Sequence, residues 1–356
     1  MREVAVVTTG FFDGVHLGHR HVLDALVSAA RERGEEAVVV TFWPHPRTVL
    51  QQDARDFRLL TSLEEKRELL LAAGADRVEV IPFTRSFAAL TAADYLQLLR
   101  ERYGASLLVM GYDNRIGSDR KTASELSAPE GIAPTTVGSA DPSHGKPWAP
   151  PSYTAEGGHG LSEQYPLAPE VIIVDECRSV SYTETAESVH GTSISSTRIR
   201  KALEGGDVEQ ANGMLGYSYQ LYGVVVAGNR MGRTIGFPTA NMQLYEPLKL
   251  VPGNGVYAVE VEVLGGKWRG MCNIGKRPTV GGTVRTIETH ILDFDEDIYG
   301  LPLRLRFLRR IRILLRFPYD FLDRRRRFSL FPRLRRRFNR LGPARLRTWR
   351  HRRCPG

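Results

Sequence analysis

Cysteine is scarce in this 356-residue chain: Cys177, Cys272 and Cys354 are the only three. An odd number at wide spacing excludes a disulfide framework and leaves no CxxC pair for zinc. Long apolar runs are missing too, which excludes a membrane-spanning helix. Met1-Arg2-Glu3 leads straight into a β-branched stretch, where a targeting segment would carry an apolar run. We therefore expect a cytoplasmic protein with no membrane partner. A hydrophobic fraction of 42% supports a globular chain long enough for two cores. The last shortage is local. Residues 301–356 hold no Lys, no Glu and only two acids, Asp320 and Asp323, against 20 Arg. This tail carries +18 and the rest of the chain −9, which together make the +9 of the whole. The body is acidic, so any nucleic-acid footprint belongs to the tail alone.

What the chain does have is concentrated first in VVTTGFFDGVHLGHRHVLDAL, residues 6–26. A β-branched run breaks at Gly10, passes Asp13-Gly14 and enters an amphipathic stretch ending near Arg33, which predicts strand, tight turn and helix. Gly10, Gly14 and Gly18 let the backbone approach a ligand, and the free N–H groups of a first helical turn favour an anion. His16 and His19 place two imidazole donors beside that turn, a spacing suited to charge that builds on phosphoryl oxygens. By itself an HxGH string reads equally well as a capped and packed turn.

Ala37–Phe42 predicts a second buried strand, stopped by Pro44-His45-Pro46. Leu63–Ala73 has helical spacing with Thr61 or Ser62 as N-cap, Arg77–Pro82 is a short strand, and Thr91 caps a helix over 92–102. Ser106–Met110 reads as the next strand, running into Gly111-Tyr112-Asp113-Asn114-Arg115-Ile116-Gly117, and Val171–Val174 as the fifth. This alternation predicts a Rossmann-like, doubly wound parallel sheet, whose ligands collect at the C-terminal edge of the strands. Residues 118–169 lose all periodicity and gather eight of the chain's 20 prolines. We read them as a disordered surface insertion. In ISSTRIRKALEGGD (194–207), Ser195 or Ser196 caps a helix. The hydroxyls of Ser195, Ser196 and Thr197 with Arg198 and Arg200 make a phosphate-binding cluster at its start, though by itself the string reads equally well as an ordinary capped helix.

From Tyr217 the pattern changes to short strands separated by Gly- and Pro-containing turns, which predicts a small antiparallel β-barrel. Its GNRMGRTIGFPTAN string (228–241) frees backbone N–H groups at Gly228, Gly232 and Gly236 around Arg233. After Pro238, the Thr239 hydroxyl and the Asn241 amide oxygen lie two residues apart on one face of an extended segment and can share one Mg²⁺. An unaccompanied glycine loop of this kind reads more readily as a barrel hairpin.

Taken together, GFFDGVHLGH, ISSTRIR, GNRMGRTIGFPTAN and IETHILDF occur in the chain order of the bacterial bifunctional riboflavin kinase/FAD synthetases, and the chain resembles that family over about residues 1–312 outside the insertion. The resemblance implies FMN adenylyltransferase chemistry in residues 1–190, a helical connector over 191–216 and a flavokinase barrel over 217–312, with the tail at 313–356. It implies that His16, His19, Asp113 and Arg198 act in adenylyl transfer, with Gly10, Phe11, Asp13, Gly14, Gly18, Ser195, Ser196, Thr197 and Arg200 around ATP. Pro44, His45 and Pro46 fall on the flavin side. In the barrel it implies Gly228, Gly232, Arg233, Gly236 and Pro238 at a second ATP, Thr239 and Asn241 at Mg²⁺, and Glu288 as the base. Riboflavin, FMN and ATP are the implied small-molecule partners, FMN and FAD the products.

Two departures stand out. Asn114 stands where the family has an apolar residue and Ile116 where it has Phe. After Arg312 the family's amphipathic closing helix gives way to an Arg-rich run with prolines at 318, 332, 343 and 355. We read that tail as the product of a changed reading frame, ahead of an RNA-binding arm. The rival expectations are a chain keeping only one activity, or a non-catalytic flavin- or RNA-binding protein.

Overall fold

The computed structural model describes residues 4–50, 57–122, 125–126, 136–137, 169–174, 178–179, 192–227, 239–279 and 282–311. The Arg-rich tail, most of the insertion and residues 228–238 lie outside them.

The first half alternates β1 (Ala5–Thr9), α1 (Leu17–Arg33), β2 (Glu36–Trp43), α2 (Pro46–Leu50), α3 (Leu63–Ala72), β3 (Arg77–Pro82), α4 (Arg85–Ala88), α5 (Ala92–Tyr103) and β4 (Ala105–Gly111). A short ribbon pairs β5 (Arg115–Ile116) with β6 (Lys121–Thr122). β7 (Thr136–Val137) and β8 (Glu170–Val174) complete a six-stranded sheet in the order β3-β2-β1-β4-β8-β7, every pair parallel. β9 (Arg178–Ser179) pairs with β10 (Thr192–Ser193). The chain crosses over between β1 and β4, which makes the C-terminal ends of these two strands the switch point where open α/β sheets bind ligands.

The period-2 alternation of the strands feeds two cores. Val6, Val39 and Val109 pack under α1 with Leu23 and Leu26, while Val7, Val38 and Leu108 face α5 with Tyr95 and Leu99. Helix ends follow their local chemistry: Ser62 and Glu65 form a reciprocal capping box on α3, and Thr91 and Asp94 form another on α5. One expectation needs correction. Residues 118–169 are not structureless throughout, because Lys121–Thr122 pair in the ribbon and Thr136–Val137 extend the sheet beside β8. Two residues suffice there because the edge of β8 offers unpaired backbone groups.

Two helices, α6 (Ser196–Glu204) and α7 (Val208–Leu215), lead into β11 (Gln220–Val226), β12 (Ala240–Leu244), β13 (Gly255–Val263), β14 (Gly266–Thr279), β15 (Gly282–Ile291) and β16 (Pro302–Ile311). These six close as a barrel in the order β11-β12-β15-β14-β13-β16, all antiparallel. Closure leaves no sheet edge open. Its interior, with Leu221, Val259, Val261, Cys272, Leu305 and Phe307, is one cluster with Ile199 and Leu203 of α6, Leu215 of α7 and Leu60 from the first half. The barrel is therefore packed onto the α/β unit through a shared core.

Candidate active sites

The leading turn between β1 and α1 is held from several sides. Gly14 has φ +86°, and a Cβ there would lie 2.9 Å from Leu60 Cδ1, so the close approach of this turn to Leu60 requires glycine. Phe12 and Val15 also take positive φ, 51° and 36°, a strained conformation for such side chains. The surroundings explain how it is maintained. The buried Asp13 carboxylate accepts from the N–H groups of Leu60 (3.0 Å) and Thr61 (3.1 Å) and from the Thr61 hydroxyl (3.2 Å), and it pairs with Arg200. Thr61 Oγ1 accepts from Gly14 N–H at 3.1 Å, Ser196 donates to Asp13 O at 3.0 Å, and Tyr217 donates to Gly14 O at 2.7 Å. Asp13 and Arg200 thus brace the turn from within.

His16 is the N-cap of α1, its Nδ1 accepting from His19 N–H at 3.3 Å. The two imidazoles stack with centroids 3.6 Å apart at 15°. Burial, and then Arg200, lower the His16 pKa to about 4. Burial, then His16 and Lys66, hold His19 well below its ordinary value. Both rings are neutral near pH 7. Because His16 Nδ1 is an acceptor, Nε2 carries its proton and is a donor. His19 Nδ1 is enclosed and without a hydrogen-bond partner. Gly18 lies so close that a Cβ would be 3.2 Å from the His16 ring.

Around these rings the C-terminal strand edge gathers further groups. Phe11 lies between the His45 ring, 3.9 Å away, and the Lys66 ammonium, 3.7 Å from its centroid. Burial lowers the Lys66 pKa to about 8 against the opposing pull of Asp13. Burial, followed by Arg200, Lys66 and Arg47, lowers His45 to about 3. His45 follows Pro44 at the end of β2, and Pro46 opens α2. Ser195 caps α6 by accepting from Arg198 N–H at 3.4 Å, while Thr197 and Arg198 are exposed. Arg200 Nε donates to Arg58 O at 2.8 Å and its guanidinium lies 4.9 Å from the Phe57 centroid. Gly10 donates to Val40 O, and Asp113 is exposed just beyond β4. Ile116 is buried in the α5-side core.

The second cluster lies on the outer face of the barrel. Asn241 on β12 stands directly opposite Glu288 on β15, which stands opposite Asn273 on β14. Their neighbours Ala240, Met242, Ile287, Thr289, Cys272 and Ile274 are buried, so the three polar side chains share the outward face. Thr239, half-buried, is two residues before Asn241. Among the described residues no group of three or more His, Cys, Asp or Glu is placed to hold a metal. A hydroxyl and an amide oxygen nevertheless suit Mg²⁺, which takes a few hard protein oxygens and fills the rest with phosphate and water. Gly228, Gly232, Arg233, Gly236 and Pro238 lie outside the described residues.

Comparison with known proteins follows this division. The FAD synthetase family model matches residues 1–141 and the riboflavin kinase family model residues 215–320. The bifunctional riboflavin kinase/FMN adenylyltransferase of Escherichia coli K12 is 34% identical over 318 residues, 89% of this chain and 87% of its own. That of Bacillus subtilis is 32% identical over 86% of this chain and 84% of its own. The chain belongs to the bifunctional riboflavin kinase/FMN adenylyltransferase family. A solved Streptococcus pneumoniae structure described as a macrolide-efflux protein covers 90% of this chain and 91% of its own at 32% identity, with a TM-score of 0.71. Among the described residues no helix is long and apolar enough to cross a membrane.

At the leading turn, two further residues lie outside the motifs. Thr61 is one of two helix-cap candidates in the sequence, but Ser62 caps α3 and Thr61 binds Asp13 and Gly14. Lys66, in LEEKREL, belongs to none of the motifs and is fully buried against Phe11. For Thr61 the available signal is its place immediately before the Ser62-to-Glu65 cap; for Lys66 no local signal exists. On the barrel, strand register sets Asn273 in one row with Glu288 and Asn241.

Proposed function

We propose that this chain makes FMN and FAD in two successive transfers. The barrel moves the γ-phosphoryl group of ATP to the terminal ribityl hydroxyl of riboflavin, giving FMN and ADP. The α/β unit then moves the adenylyl group of a second ATP to the FMN phosphate, giving FAD and pyrophosphate. The observation that carries the reading is the occurrence, on one chain, of both family-model matches, each over its own cluster of phosphate-handling groups.

At the leading turn, the FMN phosphate oxygen attacks the α-phosphorus and pyrophosphate leaves. His16, neutral and with Nε2 as its donor, and His19 beside it would hydrogen-bond the charge developing on the phosphoryl oxygens. Neutral donors suit the place: they stabilise charge in the transition state without binding the ground-state triphosphate as full ions. Lys66, Arg47 and Arg200 supply the positive field, and Arg198 and Thr197, exposed at the start of α6, would meet a ligand from the other side. His45 and Phe11 form an aromatic wall on the flavin side.

In the barrel, Glu288 would accept the proton of the attacking ribityl hydroxyl. Thr239 and Asn241 would hold Mg²⁺, which when bound neutralises charge on the ATP phosphates. Asn273, across from Glu288, would orient the same hydroxyl. The decisive experiment incubates the purified protein with riboflavin, ATP and Mg²⁺ and separates the flavins over time. FMN should rise first and FAD follow; riboflavin unchanged, with FMN also unchanged when supplied directly, would refute the reading.

A further inference from the structure

The leading turn is supported by a segment, 59–66, that is itself supported by the barrel. Leu59 N–H donates to Leu248 O at 2.8 Å, and Leu250 N–H donates to Leu59 O at 2.8 Å, a parallel bridge between the two halves of the chain. Lys249, between those two barrel residues, turns its ammonium inward. It donates to Leu60 O at 2.7 Å and pairs with the Glu65 carboxylate, both side chains 3% exposed. Tyr219, whose ring lies 4.7 Å from that ammonium, donates to Leu250 O at 2.6 Å and fixes the loop from the barrel side. The segment so pinned delivers one side of the contacts that set the turn, opposite those of Ser196, Arg200 and Tyr217: Leu60 and Thr61 N–H bond to Asp13, Thr61 Oγ1 accepts from Gly14, and Lys66 lies against Phe11.

We infer that Lys249, a residue of the kinase barrel, is a positioning residue for adenylyl transfer in the other half of the molecule. It fixes the register of 59–66, and 59–66 fixes Phe11, Asp13 and Gly14 beneath the nucleotide. The inference rests on the function proposed above. The same loop follows β12, the strand that carries Asn241, so it ties the two proposed sites into one framework.

Removing the ammonium alone strands the Glu65 carboxylate in a buried place, which also threatens folding. The test therefore uses full-length Lys249→Met, Lys249→Arg and the double variant Glu65→Gln/Lys249→Met, the last with no buried charge left over. FMN adenylylation and riboflavin phosphorylation are measured separately, well below the unfolding temperature. For Lys249→Met we expect kcat of FAD formation to fall about tenfold or more with phosphorylation held within about twofold, because a small misplacement of reacting groups costs that much. Arginine should restore most of the rate, and the double variant should regain thermal stability without regaining FAD formation. An unaltered FAD rate in Lys249→Met, an equal loss of both activities, or a double variant whose FAD rate returns with its stability would each overturn the inference. Wild-type protein that fails to adenylylate FMN would overturn the proposed function as well, whereas active wild type with an equally active Lys249→Met would sink this inference alone.

Discussion

His16 carries two duties whose pH dependences can be separated. Its imidazole has an ordinary pKa of 6.5 that falls to about 4 in the folded protein, chiefly through burial. Above 6.5 the ring is neutral whether the chain is folded or not. Below it the unfolded chain takes up a proton that the folded chain refuses, so stability falls as the pH drops from 6.5 toward 4 and then levels. The difference is worth about 3 kcal/mol at the acid end. His45, lowered to about 3, adds to the loss in the same direction. Replacing His16 with Asn should therefore flatten the fall in unfolding free energy between pH 7 and pH 4.5, measured by denaturant titration; an unchanged fall would show that His16 is not the source. Lys66 sets the opposite limb. Its ammonium, with a pKa lowered to about 8, is present at neutral pH and lost above it. FAD formation should decline above pH 8, and Lys66→Arg should move that decline to higher pH.

At the scale of elements, the strand–turn–helix unit depends on one backbone conformation and one clamp. Gly14→Ala puts a methyl group at φ +86° and against Leu60, and should destabilise the protein by about 2 kcal/mol while cutting FAD formation. Ser62→Ala removes half of the α3 capping box and should cost about 1 kcal/mol, read by thermal unfolding. The elements themselves were legible because their signals are local. The Ser62-to-Glu65 spacing marks the start of α3, Asp207 marks α7, and the Arg77–Pro82 strand has the bounds its β-branched content suggests. What connects them was not legible. The partners of Lys66 are on β2 and the leading turn, those of Lys249 are nearly two hundred residues away, and no side-chain spacing announces either. Strand register was equally hidden. Motif resemblance singled out Asn241 and Glu288, but that Asn273 completes their row depends on pairing that a one-residue slip would turn to the opposite face.

For the whole molecule, the two chemistries should come apart by substitution. His19→Ala should let riboflavin and ATP yield FMN that accumulates without becoming FAD. Glu288→Gln should block FMN formation and still convert added FMN to FAD, both read by flavin separation. If either change abolished both steps, the assignment of one chemistry to each half would fall. The parallel bridge between Leu59 and Lys249 also has a consequence for anyone who would recombine such enzymes. A chimera that takes its sheet from one parent and its barrel from another inherits half of a buried ion pair from each. Grafts should succeed only when 57–66 and 245–250 travel as a matched set, so the natural seam for swapping is not the connector at α6 and α7 but a pair of short segments far from it in the chain.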